Sequence, residues 1–574
     1  MHVATTRRHY KGKIYESHLL RRSYREGGKV RSETLANLSH LPVEALEALR
    51  GVLRGERLVG GVDALSIERS LPHGHVACVL GVLRGLGLER LLCGERSRER
   101  DLCVGLICQR LLAPGSKLEA TRRLSQSTLS EELGLGEVGE AELLSAMDWM
   151  LARKERMERT LARRHLKEDS FVLYDLSSSY VEGSHCPLAK RGYSRDGKRS
   201  KLQITYGLVC SEEGRPVAVE VHEGNVEDSQ TFPGVVERIS ERFGVERVVF
   251  VGDRGMISEA RCQELKERGI EFITALKAPR IRKLAEEGAI QLSLFDESDL
   301  VEVSSPEYPG ERLVVCRNPA VASERARKRQ ELLSGTEEEL SKVKQMVHSP
   351  RGRLRGKSAG VIGERVGRVV NKYKVAKHFE LQIGEGSFDY RRKEEQISRE
   401  AALDGLYVLR TTVVEAHLGG PAVVRAYKQL KVAERAFRHM KSDELEIRPI
   451  HHRLAERVKA HVFLCMLAYY LQFELRVKLQ ELLFDDEAPS SPTNPVAPAE
   501  RSPQAGRKAA SKRTEDGLPV HSFKTLLAEL GTLCRNRVRI ESTGQTFEQL
   551  TEPTPLQARA FELLGLKVGS KATK

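Results

Sequence analysis

The chain has 574 residues, 40 % apolar and 30 % charged, and 94 Lys and Arg against 80 Asp and Glu leave a formal charge of +14. Such a length holds roughly three or four domains with real cores, which excludes disorder throughout, and the cationic excess points to a polyanionic partner. No apolar run approaches the roughly 18–20 residues of a membrane-spanning helix, the N-terminus carries no secretory leader, and the ten Cys include no C-x-x-C pair, so a soluble protein kept in a reducing compartment is expected.

Residues 1–35 hold nine Lys or Arg against three Glu, interleaved with aromatic and β-branched residues. They predict a small basic strand pair turning at Gly27-Gly28. From Pro42 to about Lys167, Leu recurs at three- and four-residue spacing, as in 43–53 and 102–112, which predicts helices. Pro114-Gly115-Ser116 punctuates a new helix start, and 143–164, with the sole tryptophan Trp149, reads as one long amphipathic helix. After Ser170 the texture changes. Strands are predicted at 171–174, 202–210 and 217–222, with a turn at Glu213-Gly214, then a helix at 229–243, a strand at 247–251, a helix at 258–268 and a strand at 271–275. That order predicts an α/β domain on a mixed sheet.

The rhythm stops at 276. A helix at 323–347, a Gly- and Arg-rich stretch at 350–360 and a strand at 379–383 precede a strand at 406–414. Two strong helices follow, 421–440 and 453–483, the first opened by Pro421 where a first turn tolerates proline. Between 485 and 517, Pro489, Pro492, Pro495, Pro498 and Pro503 predict an irregular linker. The last stretch, 521–566, has two modest helical patterns and suffices for a small appendage. There is no internal repeat.

Two carboxylates follow buried strand-like runs, Asp175 after 171–174 and Asp253 after 248–251. Chain ends beyond neighbouring strands of an open α/β sheet gather at one edge, where ligands bind. The 78-residue separation of the two Asp leaves room for two more strands and a helix. Either Asp alone reads more readily as a turn cap. A third carboxylate lies on helix 421–440. With Glu434 at the origin, Tyr427 falls at about 20°, Leu430 at −40°, Lys431 at 60°, Arg438 at 40° and Lys441 at −20°. One face thus carries a single Glu among cations and a Tyr, against the plainer reading of a solvated basic helix with Glu–Arg support. Asp228 rivals Asp253 but reads better as a helix cap. Asp196-Gly197, in the basic loop 190–201, reads as a hairpin turn, with the loop's cations available to touch DNA. His451-His452 read as the start of a solvated turn, since adjacent side chains point apart on a helix.

The segments Tyr174-Asp-Leu-Ser-Ser-Ser-Tyr180, Val251-Gly-Asp-Arg-Gly-Met256 and Tyr427-x2-Leu430-x3-Glu434-x6-Lys441 together resemble the DDE transposases of bacterial insertion sequences, in the branch with the Y-R-E-K signature. The resemblance spans residues 170–483 and rests on the ordered set of three motifs. It implies an α/β, RNase H-like catalytic core, a mixed sheet flanked by helices, in which Asp175, Asp253 and Glu434 form the acidic triad. An insertion domain and a mainly helical N-terminal region complete the expected fold. The expected division is a basic arm at 1–41, a helical DNA-binding region at 42–168, the core at 169–277 and 401–484, the insertion at 278–400, a Pro-rich linker at 485–516 and a C-terminal appendage at 517–574. The signature's Arg falls at Leu430, so Lys431 or Arg435 would have to make its phosphate contact.

Cleaving a DNA phosphodiester needs an activated water, an in-line geometry and neutralisation of the leaving oxygen, which two Mg²⁺ ions, with Mn²⁺ as a substitute, supply on carboxylate ligands. In this reading Asp175 bridges both ions while Asp253 and Glu434 complete one site each. The released 3′-OH then attacks target DNA. Tyr427, Lys431, Arg438 and Lys441 would lie along the transposon-end backbone. A covalent nucleophile at Tyr174 or Ser177 is disfavoured, because Tyr174 points to the sheet face opposite Asp175 and no Arg cluster flanks it. The expectation is a bacterial, cytoplasmic, nucleoid-associated transposase that binds terminal inverted repeats, cleaves the ends and joins them to target DNA as a homodimer. The alternatives are a non-catalytic DNA-binding repressor and a metal-dependent nuclease without strand transfer. The charge supports a DNA clamp. Beyond residues 1–35 it concentrates in 321–378, fifteen cations against six acids, and in 421–481, twelve against seven.

Overall fold

Strands β1 (His2–Tyr10), β2 (Lys13–Glu26) and β3 (Lys29–Asn37) form an antiparallel sheet in that order, one strand more than expected. The added hairpin turns at Lys11-Gly12, both at positive φ, as a two-residue hairpin loop requires. Helix α1 (Val43–Leu53) lies against β1. The computed structural model describes residues 1–55, 65–167, 170–237, 248–290, 300–441, 444–484 and 502–568.

Strand β4 (Leu65–Pro72) opens the next region, where the sequence predicts only helices. Seven helices follow, α2 (Gly74–Gly85), α3 (Leu88–Leu92), α4 (Arg98–Leu112), α5 (Lys117–Arg123), α6 (Leu129–Leu133), α7 (Glu140–Leu151) and α8 (Lys154–His165). The Ser97 and Ser116 hydroxyls cap α4 and α5, accepting from the Arg100 and Glu119 N–H groups. The single helix expected at 143–164 is instead the pair α7 and α8. Between them the Arg153 guanidinium stacks 3.9 Å from the Trp149 ring and donates to the Trp149 carbonyl, which closes the end of α7.

The central sheet joins β5 (Ser170–Val181), β6 (Leu202–Ser211), β7 (Pro216–Glu223), β8 (Val248–Val251) and β9 (Glu271–Ala275) with β10 (Leu300–Val303), β11 (Arg312–Arg317) and β14 (Leu406–Thr411), in the order β10-β11-β14-β9-β8-β5-β6-β7. Strands β5, β6 and β7 form an antiparallel meander, while β5, β8 and β9 run parallel. Helices α9 (Asp228–Glu237), α10 (Glu259–Glu267) and α11 (Ala278–Glu286) connect or flank these strands. The mixed sheet flanked by helices is RNase H-like. The end of the helix predicted at 229–243 and the first residue of the strand at 247–251 fall outside the described residues.

The segment 278–400, expected to leave the core as one insertion, divides in two. Strands β10 and β11 extend the central sheet through β14, because their apolar residues Leu313, Val314 and Val315 find cover there. Helices α12 (Pro319–His348) and α13 (Ala359–Tyr373), hairpin β12 (Phe379–Gly384) and β13 (Ser387–Arg392), and α14 (Glu394–Ala401) surround a second core around Leu340, Ile362, Val366 and Phe388.

The helix predicted at 421–440 breaks at Gln429 into α15 (Gly420–Lys428) and α16 (Leu430–Lys441). Helix α17 (Ala455–Lys478) is buried almost all round, against β7 on one side and α2, α4 and α7 on the other, so it ties the helical region to the sheet. No helix among the described residues is long and apolar enough to cross a membrane.

Two expectations for the C-terminal part change. Pro503, read as a breaker, is the first residue of helix α18 (Pro503–Ser511), where its missing N–H costs nothing and Ser502 caps the turn. Residues 485–501 of the expected linker lie outside the described residues. The supposed appendage contains α19 (Phe523–Gly531), β15 (Cys534–Ile540), β16 (Thr546–Leu550) and α20 (Pro555–Leu563). Strand β15 pairs with β16 and with β4, and α19 packs on α2, so this segment completes the helical region.

Candidate active site

Strand β5 does not end at Tyr174. It runs on to Val181 because its polar residues remain useful partners: Ser177, Ser178 and Ser179 pair with Tyr206, Thr205 and Ile204 of β6, and the Ser179 hydroxyl meets the Tyr206 phenol at 3.0 Å. Asp175 therefore sits within the strand, not at its end. Its parallel neighbour β8 stops earlier, with Val251 paired to Leu173. Asp175 and Asp253 each stand two residues beyond that last pair, which brings the two carboxylates to the same level of the sheet.

The alternation of the strand sends Tyr174 the other way. Its phenol donates to the Thr231 hydroxyl at 3.2 Å, and its ring lies over Gly207, where a Cβ would come within 2.2 Å of the phenol oxygen. Tyr174 is fully buried and Ser177 is buried as well, so neither of the two covalent nucleophiles disfavoured above stands open to a DNA strand.

Asp253 Oδ1 accepts the Gly255 and Met256 N–H groups, both at 2.9 Å, so the residue does cap its turn. Its second oxygen accepts no hydrogen bond among the described residues. Asp175 divides its oxygens the same way, with Oδ1 accepting from Leu176 N–H at 2.8 Å. Helix α16 lays Leu430, Ala433, Ala436, Phe437 and Met440 on the sheet and leaves Lys431, Glu434, Arg435 and Arg438 exposed. Burial pushes the Asp175 carboxyl up to about 7; the Asp253 and Glu434 charges add to the rise, while the Leu176 N–H and the Arg195 guanidinium oppose it. Tyr427, at the end of α15, belongs to the same field: burial and the Asp253, Glu434 and Asp175 charges push its phenol up to about 12, against Arg254.

Lys441 does not share the exposed edge. The wheel places it beside Glu434, yet its side chain is 12 % exposed, with Nζ donating to the Ser178 carbonyl at 2.6 Å and to Asp196 at 2.9 Å. Arg448 also pairs with Asp196. Asp196, read as a turn residue, is thus a buried carboxylate between two cations; the turn itself forms, with Gly197 at positive φ. Nothing in a local Asp-Gly pair signals such long-range partners.

Asp228 begins α9 and is held by Arg195, whose Nη2 donates to both of its oxygens at 2.9 and 2.7 Å. Arg195 was legible in the sequence only as one cation of the basic loop 190–201, and Arg254 only as a member of the motif around Asp253; neither carried a role of its own. His451 is exposed, and the His452 ring lies 5.3 Å from that of His461, tilted by 52°. Burial with Lys117 and Arg110 nearby pushes His452 down to about 3, and that cationic setting repels a metal ion.

Among the described residues, no three His, Cys, Asp or Glu side chains already converge as an ion cage. Asp175, Asp253 and Glu434 nonetheless fit a hard divalent cation in chemistry. They offer carboxylate oxygens without hydrogen-bond partners, and their mutual repulsion is what such an ion relieves.

The family model for the transposase DDE domain matches residues 166–471, and that for the N-terminal domain of IS1634 family transposases matches residues 3–61. A cryo-EM structure of a piggyBac transposase synaptic complex with hairpin DNA is similar at a TM-score of 0.34 and 8 % identity, over 80 % of this chain and 76 % of that one. No curated protein matches the chain.

Proposed function

Since the chain belongs to the DDE transposase family of insertion sequences, we propose that it binds the terminal inverted repeats of its element, cleaves them at the Asp175–Asp253–Glu434 centre and joins the 3′-OH ends to target DNA. The observation that supports this reading is the register of β5 and β8, by which Asp175 and Asp253 each follow the last paired residues by two, together with the opposition that Asp253 and Glu434 offer to ionisation of Asp175. We assign it to the Y-R-E-K branch on Tyr427, Glu434 and Lys441, with a buried Leu430 where the signature has Arg.

Asp175, Asp253 and Glu434 would hold the divalent cations. When bound, two such ions supply an activated water and neutralise charge at the leaving oxygen. The chain's own residues bind and orient the DNA. Tyr427 keeps its proton through the physiological range, so its phenol is a hydrogen-bond donor to a phosphate oxygen. Lys431 and Arg438 lie on the exposed edge of α16 beside Glu434, where they track the backbone of the transposon end. Two copies of the chain would hold two ends.

The test is single-turnover cleavage of a duplex carrying the element's own terminal repeat, in Mg²⁺. Asp175→Ala, Asp253→Ala and Glu434→Ala are expected to lose cleavage and keep end binding. Any variant of the three that still cleaves removes that residue from the centre. Wild-type protein that binds but never cleaves would make the chain a repressor, and cleavage without joining would make it a nuclease.

A further inference from the structure

The loop 190–201 lies beside the acidic centre and is built as a rigid piece. Lys190 and Gln203 exchange backbone hydrogen bonds at 3.0 and 2.7 Å, and Gly192 packs so close to Gly224 that a Cβ would fall 1.7 Å from its carbonyl oxygen. The Arg195 N–H donates to the Ser178 hydroxyl at 2.9 Å, and that hydroxyl donates to the Tyr193 carbonyl at 3.1 Å. Asp196 accepts the Tyr180 N–H at 3.3 Å and is clamped by Lys441 and Arg448. Both sides of Arg195 are thus pinned to β5 and α16.

The guanidinium so positioned has an unusual arrangement of partners. Its charge acts on Asp175, yet it forms no ion pair with Asp175, Asp253 or Glu434 among the described residues. Asp228 occupies one nitrogen, Nη2, and holds the group away from the acids. Nε and Nη1 make no hydrogen bond among the described residues, and the side chain keeps 23 % of its exposure. A cation that neutralised Asp175 directly would compete with a metal ion for it. One held off by a separate carboxylate, with three N–H donors to spare, suits a third component that is anionic and placed between the two. A phosphodiester has that charge and matches a guanidinium edge.

We propose that Arg195 binds a non-bridging oxygen of the scissile phosphate. Asp228 and Lys441 are its positioning residues, Asp228 by fixing the guanidinium and Lys441 by fixing the loop. This assignment rests on the reading of the acidic centre as a DNA-cleaving site, and it supplies a phosphate contact that the buried Leu430 cannot make.

The experiment uses the full chain and two duplexes of the element's terminal repeat, one with the native scissile phosphate and one with a single uncharged methylphosphonate in its place. Ca²⁺ replaces Mg²⁺ to hold off cleavage, and Kd is measured. Wild-type protein is expected to prefer the native phosphate by about tenfold, the scale of a charge-assisted contact. Arg195→Ala should bind both duplexes equally, at the affinity that wild type shows for the methylphosphonate. Arg195→Lys should recover part of the preference, which a misfolded protein would not. Lys441→Met should lose it while retaining affinity for the methylphosphonate duplex. If Arg195→Ala still discriminates as wild type does, the assignment is overturned while the acidic centre stands. If wild type itself does not discriminate, this assignment falls, and Mg²⁺ cleavage by wild type against Asp175→Ala shows whether the reading of the centre falls with it.

Discussion

Two carboxylate clusters meet around β5 and the loop after it, and they are built in opposite ways. Asp196 is surrounded by opposite charge: Lys441 and Arg448 pair with it directly and the Tyr180 N–H donates to it. Asp175 is surrounded by like charge from Asp253 and Glu434, and the cation that acts on it, Arg195, is tied to Asp228. The first arrangement is complete within the chain and fixes geometry. The second is complete only when something cationic arrives. Under the proposed function, imbalance marks the place where the molecule acts, and balance marks what holds that place still.

The contrast can be broken most sharply at Asp175. Asp175→Asn should drop cleavage to background and at the same time stabilise the metal-free fold. The unfolded chain ionises this group near pH 4 and the folded chain only near 7, so wild-type stability is lost as pH rises between those values and stays low above them. Unfolding temperatures in EDTA at pH 5 and pH 8 should show the gain from Asn growing with pH; a variant less stable than wild type at pH 8 would show that Asp175 is balanced after all.

At Asp196 the sign reverses. Asp196→Ala takes the shared carboxylate away from two largely buried cations, Lys441 and Arg448, and should cost about 3–5 kcal/mol in urea unfolding, the scale of breaking one side of a buried ion pair. A cost under about 1 kcal/mol, as for exposed pairs, would remove the distinction between the clusters.

A smaller effect sharpens the comparison through pH. Divalent cation binding, followed by calorimetry, should weaken as pH falls below about 7, because a proton on Asp175 competes with the ion. Asp175→Asn should flatten that dependence. The smallest effect is expected at Arg7, whose pair with Glu16 is exposed on β1 and β2: Arg7→Ala should leave the unfolding midpoint within scatter.

Much of this was legible from local pattern. The meander β5–β7 and the strand β9 follow from apolar runs and turn residues, and the two Asp are visible because each follows such a run. The level that Asp175 and Asp253 share was not visible, since it depends on where β8 stops pairing. The break at Gln429 carries no Gly or Pro signal, and it separates Tyr427 from the helix that carries Glu434 and Lys441. The inward turn of Lys441 depends on Asp196, which is 245 residues away. Strand β15 did offer a sign in the alternation of Arg535, Arg537 and Arg539, but its partner β4 lies in a region dominated by Leu periodicity. Local patterns report local structure. Pairings across hundreds of residues need the fold.

That last pairing orders events during synthesis. The edge of β4 waits for Cys534–Ile540, and the His73 and Gly74 N–H groups, at the very start of α2, wait for the Leu533 carbonyl at 2.8 and 2.9 Å. Arg535 bridges His73 and Glu132 from the same strand. A nascent chain thus emerges from the ribosome with its acidic residues already made and the framework behind them still open, and a product truncated before β15 keeps a bare strand edge. The sheet beside its helical support closes only once Cys534–Ile540 has been made.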